Sequence, residues 1–446
     1  MKTPSFAGRS SLGRLCASGS RRALAPLAAV ALGLGLAACG STKPAASVLA
    51  TVNPQPAAPR QECSAAVLGT LSSVLQRVYR EGVHGERIGS AEYLIAHSGG
   101  LRAAIESGDR AAALAAAHEL LATGHMTDLS ITRAGRPFIA LGGPAIAPLH
   151  GTILGAAGTP IATYLASVWA DDGFLTEGEG ITQGVVALRA GGVSLGARAA
   201  VSSGLGTSPL PNEGSLTLAH VDYSYTSFPG ETYPSGAMRV YLLIPAATTL
   251  ALCGRTHTDT VVETLRHVAH LIYAGELGRS AHKQVLRVQH NQALLEAVAH
   301  REPAASEAAI ETLLNEHIVR MRVSAGGQLL SDVGGPYVLA PVHAPLRLHG
   351  RKIGSVVLSI QDDEGYLRLT RRLAGLDVLM YMGIGSGPPQ LVKDSLGRMP
   401  GPALAAVPAS GSYVYEGRSF RVFTVHAKAF PSGPLTVRVL VPVPYL

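Results

Sequence analysis

Ser280 and Lys283 stand in the run Ser280-Ala281-His282-Lys283, the Ser-x-x-Lys spacing that activates a serine nucleophile for acyl transfer. That chemistry needs further Ser and Lys elements, which the chain does not supply, and Tyr93 holds the matching place of Lys283 earlier in the sequence. His267 and His270 fall three apart on a predicted helix, as do Glu81 and His84. A metal needs neutral imidazoles converging with a third ligand. No His-Glu-x-x-His or paired-cysteine motif provides one, so these read as surface or packing histidines and no metal is expected. Asp362, Asp363 and Glu364, with Asp171 and Asp172 as a partial echo, have the composition of an acid–base pair, which works when two carboxyl pKa values are pushed apart. They also precede predicted helical turns, where negative charge is stabilising in itself, and helix capping is the expected role. No catalytic set is complete. The chain reads as a non-enzyme without cofactor.

The elements that would carry any chemistry begin after a leader. Residues 1–38 read as a signal peptide. Lys2, Arg9, Arg14, Arg21 and Arg22 lead into an apolar run from Ala23 to Ala38, shorter than the roughly 20 residues of a membrane span. The ending Leu36-Ala37-Ala38-Cys39 resembles the lipobox of bacterial lipoproteins. The resemblance implies lipidation of Cys39, an extracytoplasmic location and anchoring to the cell membrane; two or more acyl chains make such an anchor durable. Residues 39–60, rich in Ala, Pro, Ser and Thr, read as a flexible tether. Five of the positive charges behind the net +7 sit in the leader, and the small remainder offers no clustered basic surface for nucleic acid. Cys16 lies in the leader and Cys39 takes the lipid. Cys63 and Cys253 are left over in an oxidising compartment, where one disulfide between them is expected.

The rest of the chain reads as one module written twice, at 61–246 and 251–446. Cys63 matches Cys253 at a separation of 190, with Leu71, Leu75 and Val78 matching Val261, Leu265 and Val268. Gly142-Gly143-Pro144 matches Gly334-Gly335-Pro336 at 192, and Asp171–Leu175 matches Asp363–Leu367. Tyr233–Gly236 matches Phe430–Gly433 at 197. Each copy opens with apolar residues at three- and four-residue steps, Val67 to Val78 and Val261 to Ile272, which predicts an amphipathic helix; Asp259 is the expected N-cap of the second. Asp109–Leu121 and Ala304–Leu314 read as further helix. Strands follow. His317–Ser324, a turn at Gly326-Gly327 and Gln328–Val333 make a hairpin, and Ser215–Phe228 reads as one long strand. Helices first and strands afterwards predict an α+β fold.

Both copies, the second more closely than the first, resemble the Cache family of PAS-like extracytoplasmic sensor modules. The likeness lies in the long first helix, the Gly-turn hairpin, the loop carrying Gly-Gly-Pro and Ala-Pro, and the strand Gly350–Ser359. It implies two tandem Cache-like domains, each a long N-terminal helix plus an antiparallel sheet with covering loops and short helices. It also implies a small ligand held between sheet and covering loop, an organic acid or amino-acid-like molecule. Tyr337, His343, Tyr366 and Tyr381 are placed on that loop, turn and strand, and Arg320 and Arg322 on the first hairpin strand would suit an anion by bidentate bonding. The first copy has Ala145 and Phe174 near the matching places and reads as less polar. The chain shows no output domain, so a membrane signalling partner is expected; the alternative is a structural or protein-interaction lipoprotein with no small ligand.

Overall fold

The computed structural model describes residues 59–446 except 191–192, 198–200, 202–203, 207, 209, 315–316, 384–389, 397–406 and 446. The leader, Cys39 and the tether as far as residue 58 lie outside the described residues. Backbone helix already begins at Pro59, two residues inside the expected tether.

Each half opens with four helices. In the first they are α1 (Pro59–His84), α2 (Glu86–His97), α3 (Gly99–Ser107) and α4 (Arg110–Ala122). A four-stranded antiparallel sheet follows, from β1 (Asp128–Arg133), β2 (Arg136–Leu141), β4 (Leu149–Leu154) and β5 (Pro160–Ser167), in the order β2-β1-β5-β4. The short strands β3 (Ala145–Ile146) and β6 (Trp169–Ala170) pair beside it. Helix α5 (Asp171–Thr182) then leads to a five-stranded sheet of order β8-β7-β11-β10-β9, built from β7 (Val185–Ala190), β8 (Val193–Gly196), β9 (Glu213–Leu218), β10 (Val221–Glu231) and β11 (Ala237–Pro245).

After a short helix, α6 (Ala246–Ala251), the second half runs through the same order of elements. Its helices are α7 (His257–Gly275), α8 (Arg279–Gln289), α9 (Gln292–His300) and α10 (Pro303–Leu314). The sheet of β12 (Arg320–Ala325), β13 (Gln328–Gly334), β15 (Val342–Leu348) and β16 (Arg351–Ser359) has the order β13-β12-β16-β15. Strands β14 (Val338–Leu339) and β17 (Gln361–Asp362) pair, and α11 (Asp363–Ala374) follows. The last sheet is seven-stranded and takes in the β14-β17 pair, in the order β19-β18-β22-β21-β14-β17 with β20 on β21, from β18 (Asp377–Met382), β19 (Gln390–Asp394), β20 (Gly411–Tyr415), β21 (Arg418–Ala429) and β22 (Gly433–Pro442). Each half therefore carries two large antiparallel sheets, and the first also the small β3-β6 pair, where one sheet was expected.

Several details repeat with the order. Ser167 donates to the carbonyls of Ile146 and Trp169, and Ser359 donates to those of Leu339 and Gln361. Ala147 and Ala340 both adopt φ 54°. The Tyr79 phenol accepts the Glu231 N–H at 2.8 Å, and the Tyr273 phenol accepts the Lys428 N–H at 3.0 Å. That last pair corrects the register read from the sequence. With Tyr79 equivalent to Tyr273, Leu71, Leu75 and Val78 fall opposite Leu265, Ala269 and Ile272, one helical turn beyond the matches assumed. A slip of one turn, about 3.6 residues, leaves an apolar stripe in place, so hydrophobic pattern alone could not detect it.

One apolar core runs through both halves. Val67, Leu71 and Leu75 of α1 are wholly buried with Leu265, Val268 and Ala269 of α7, Phe174 of α5 and Tyr366 of α11. The inner faces of the five-stranded and the seven-stranded sheet close this helix layer. Val240, Leu242 and Ile244 of β11 and Val437, Val439 and Val441 of β22 point in, while Tyr241, Leu243 and Leu440 point to the outer faces, the period of two that a strand imposes. Smaller cores join α2–α4 and α8–α10 to the four-stranded sheets.

The long strand expected over Ser215–Phe228 is a hairpin. Ala219 and His220 turn between β9 and β10 with φ of 48° and 66°. Positive φ at both turn positions normally draws Gly or Asn, so the turn carries no sequence signal. Thr256, not Asp259, caps α7: its hydroxyl accepts the Asp259 N–H at 3.1 Å. Cys63 and Cys253 form the expected disulfide, Cα–Cα 5.8 Å, tying α1 to the segment that enters α7.

Candidate functional site

The six residues singled out for ligand binding end in separate places. Arg320 and Arg322 lie on β12 and both clamp Asp332 across the hairpin. Arg320 donates to its two carboxylate oxygens at 2.9 and 3.0 Å, and Arg322 donates twice to one of them at 2.9 and 2.5 Å. Burial works to raise the Asp332 carboxyl, yet the two guanidiniums outweigh it and hold the group below its ordinary value. Both arginines also lie over the Phe430 ring, at 4.9 and 5.9 Å, and Arg320 donates to the Gly335 carbonyl at 2.9 Å. Their charge and geometry are spent tying the hairpin to the Gly-Gly-Pro loop. Tyr337 continues that loop and packs half-buried against the shared core. His343 is exposed on β15, opposite Val357.

Tyr366 is wholly buried in α11 with its hydroxyl toward the Ala269 carbonyl, 3.4 Å away; burial raises its pKa. Tyr381 lies on the outer face of β18. Arg438 stacks on its ring at 4.4 Å and donates to its oxygen at 3.1 Å. The first half answers with Arg189 on β7 and Tyr241 on β11, the same pair of residue types with the strands exchanged. There Arg189 donates to the carbonyls of Gly206 and Ser208, and Tyr241 to that of Leu210.

Several of the residues weighed for catalysis or metal binding have structural partners. Asp362 caps α11, its carboxylate accepting the Gly365 N–H at 2.7 Å. Glu364 pairs with Lys393 at 2.7 Å on the surface. His267 is 3.1 Å from the Gln183 amide, bridging α7 to the end of α5, and burial followed by the nearby His270 lowers its pKa. Among the described residues no group of three or more His, Cys, Asp or Glu could hold a metal ion.

A cleft of about 240 Å³ opens where the halves meet. Helix α5 contributes Glu177, Gly180 and Ile181; α7 contributes Leu271, Ile272 and Gly275; α11 contributes Leu369 and Leu373. Glu276, Ser280 and Ile360 complete the wall. The positions follow from local sequence: Glu276 is the C-cap of α7 and Ser280 lies in the first turn of α8. Burial, then the charge of Glu177, pushes the Glu276 carboxyl up to about 7. Glu177 sits on the exposed rim and is also raised by the surrounding protein, with Arg87 and Arg372 opposing. No hydrogen bond joins Ser280 to either carboxylate. Two neighbouring acids whose carboxyls are both raised, mixed with apolar walls, suit holding a small polar molecule. Sequence reading did not single out Glu177 or Glu276 as site residues. Their elements lie about a hundred residues apart in the chain, and nothing local to either residue signals that they meet.

No protein-family model matches the chain, and no curated protein matches it. Among solved structures, an extracellular ligand binding receptor from Desulfohalobium retbaense DSM5692 is similar at 12% identity and a TM-score of 0.22. The aligned region covers 51% of this chain and 47% of the receptor. A likeness of that size gives neither chain the other's fold or ligand. Among the described residues no helix is long and apolar enough to cross a membrane.

Proposed function

We propose that this chain is a lipid-anchored extracytoplasmic protein that binds a small molecule, built from two copies of one Cache-like module. The observation that carries binding is the junction cleft: a concave site with apolar walls, few polar groups and a carboxyl titrating near neutrality, the combination expected of a ligand site. The common element order of the halves supports the duplication. The leader and Leu36-Ala37-Ala38-Cys39 support the anchor. Binding is favoured over catalysis because Ser280 lacks the base contact a nucleophile needs. Any occupancy signal would pass to a partner protein at the membrane.

A thermal-shift screen with amino acids, organic acids, amines and sugars tests the reading. At least one class should raise the melting temperature by several degrees at saturation, since a ligand at a hundred times its Kd adds about 2.7 kcal/mol. A flat response across all classes would sink the binding reading and favour a structural role. In the same cells, Cys39→Ala should move the protein from the membrane to the soluble fraction; unchanged membrane association would remove the anchor.

A further inference from the structure

We infer that the junction cleft takes a small organic cation, an amine or guanidinium, between Glu177 and Glu276. This deepens the binding proposal and rests on it. The argument comes from the place in the molecule that the repeated order of elements makes equivalent to the cleft. The Tyr79–Tyr273 register sets Glu81 of α1 where α7 has Gly275, and Gly82 where it has Glu276. Helices α5 and α11 correspond through Phe174 and Tyr366, Ile181 and Leu373, and the left-handed caps Gln183 and Gly375. That sets Arg372 where α5 has Gly180. Trp169 and Gln361 each follow an equivalent serine by two residues.

The equivalent place is filled by the protein itself. The Arg372 guanidinium lies 2.9 Å from the Glu81 carboxylate. Trp169 packs so tightly on Gly82 that a Cβ there would come within 2.1 Å of the indole, and Arg87 covers that indole at 5.4 Å. On the cleft side both partners of the ion pair are glycine and the indole is replaced by glutamine. Space opens where the guanidinium would be. A carboxylate remains, supplied by Glu276 with no ion-pair partner among the described residues, and Glu177 faces the same space. The site is thus the place of a chain-internal ion pair with both partners removed and an acid supplied instead by the next residue, Glu276. A ligand cation restores the missing charge. Among the described residues no aromatic ring lines the space, and the apolar stretch of Leu271, Ile272, Leu369 and Leu373 suits a short aliphatic stem.

The groups that bear on Glu276 are Glu177 from α5 and Tyr366 from α11; Arg372 and Arg87 act on Glu177. None is a cation directed at Glu276. A cation binds the ionised form, so affinity should rise as pH increases toward 7 and level off above it.

Calorimetry on the mature chain with methylguanidinium and n-butylamine, against n-butyramide and n-butyrate, tests this. The two cations should bind saturably and the neutral and anionic analogues should not. Glu276→Gln should weaken cation binding about ten- to hundredfold, the worth of a charge-assisted hydrogen bond, and remove its pH dependence. Because a variant can alter folding, the Glu276 carboxyl is also followed by NMR in the unmodified protein; its pKa should fall when n-butylamine is added. Binding of n-butyrate or n-butyramide without the cations would overturn the cation inference and leave the binding proposal standing. Silence from all four probes, in a protein that responds to another small molecule in the thermal screen, would also overturn it. Silence in both experiments would remove the binding proposal itself.

Discussion

At the scale of single residues, one glutamate measures how the surroundings reset chemistry. Glu276 has an ordinary carboxyl in the unfolded chain and one pushed up to about 7 in the folded protein, by burial and then by Glu177. The folded state therefore holds a proton that the unfolded state releases near pH 4.5. Folding is favoured by that proton at low pH, and stability falls as pH rises from about 4.5 through about 7. Glu276→Gln should consequently raise stability at pH 8, by on the order of 1 kcal/mol after allowance for solvent screening, and change little at pH 4. Thermal melts of both proteins at the two pH values check it; equal gains at both would show that the carboxyl is not displaced. The arginines make the converse point. Arg320 and Arg322 have the residue type and strand placement of an anion site, yet Asp332, across the same hairpin, absorbs them both. Residue type announces capacity for an interaction, and the neighbour decides whether it is free.

At the scale of elements, local rules explain most of what is seen. The amphipathic steps of Val67–Val78 and Val261–Ile272 are helices, the Gly326-Gly327 turn joins two strands, and the acids at 362–364 begin a helix. Asp362→Ala should cost about 1 kcal/mol, the usual worth of an N-cap, read from denaturant unfolding. Asp363→Ala would not remove that hydrogen bond, so an equal loss from both substitutions would count against a capping role for Asp362. The misses at this scale share a cause. The Ala219-His220 turn uses residues that do not advertise positive φ, and the cap of α7 lies three residues before the acid that looked like it. Both are settled by backbone geometry that the side chains do not signal.

At the scale of the whole molecule, the decisive feature is the core common to both halves. Val67, Leu71 and Leu75 bury against α7 and α11 as well as against their own sheet, so neither half has a complete core alone. Calorimetric unfolding should show the shared region melting in one transition. Leu75→Ala, at a wholly buried position, should lower stability by about 2–5 kcal/mol without splitting that transition. Two resolved transitions, one per half, would contradict the shared core. The Cys63–Cys253 bond closes a 190-residue loop across the junction and reinforces the same coupling. The cleft is a product of this scale: its walls come from both halves, and neither half alone contains it.

Local pattern determined the order of helices and strands and the choice of Cys63 and Cys253 as the cysteines to pair, because each was read from residues close together in the chain. The register of α1 against α7, the second sheet in each half, the neutralisation of Arg320 and Arg322, and the meeting of Glu177 with Glu276 were decided only by the tertiary structure. The physical reason is that a helical stripe looks the same after a one-turn slip, while an ion pair or a cavity depends on which atoms lie within a few ångströms of each other in space.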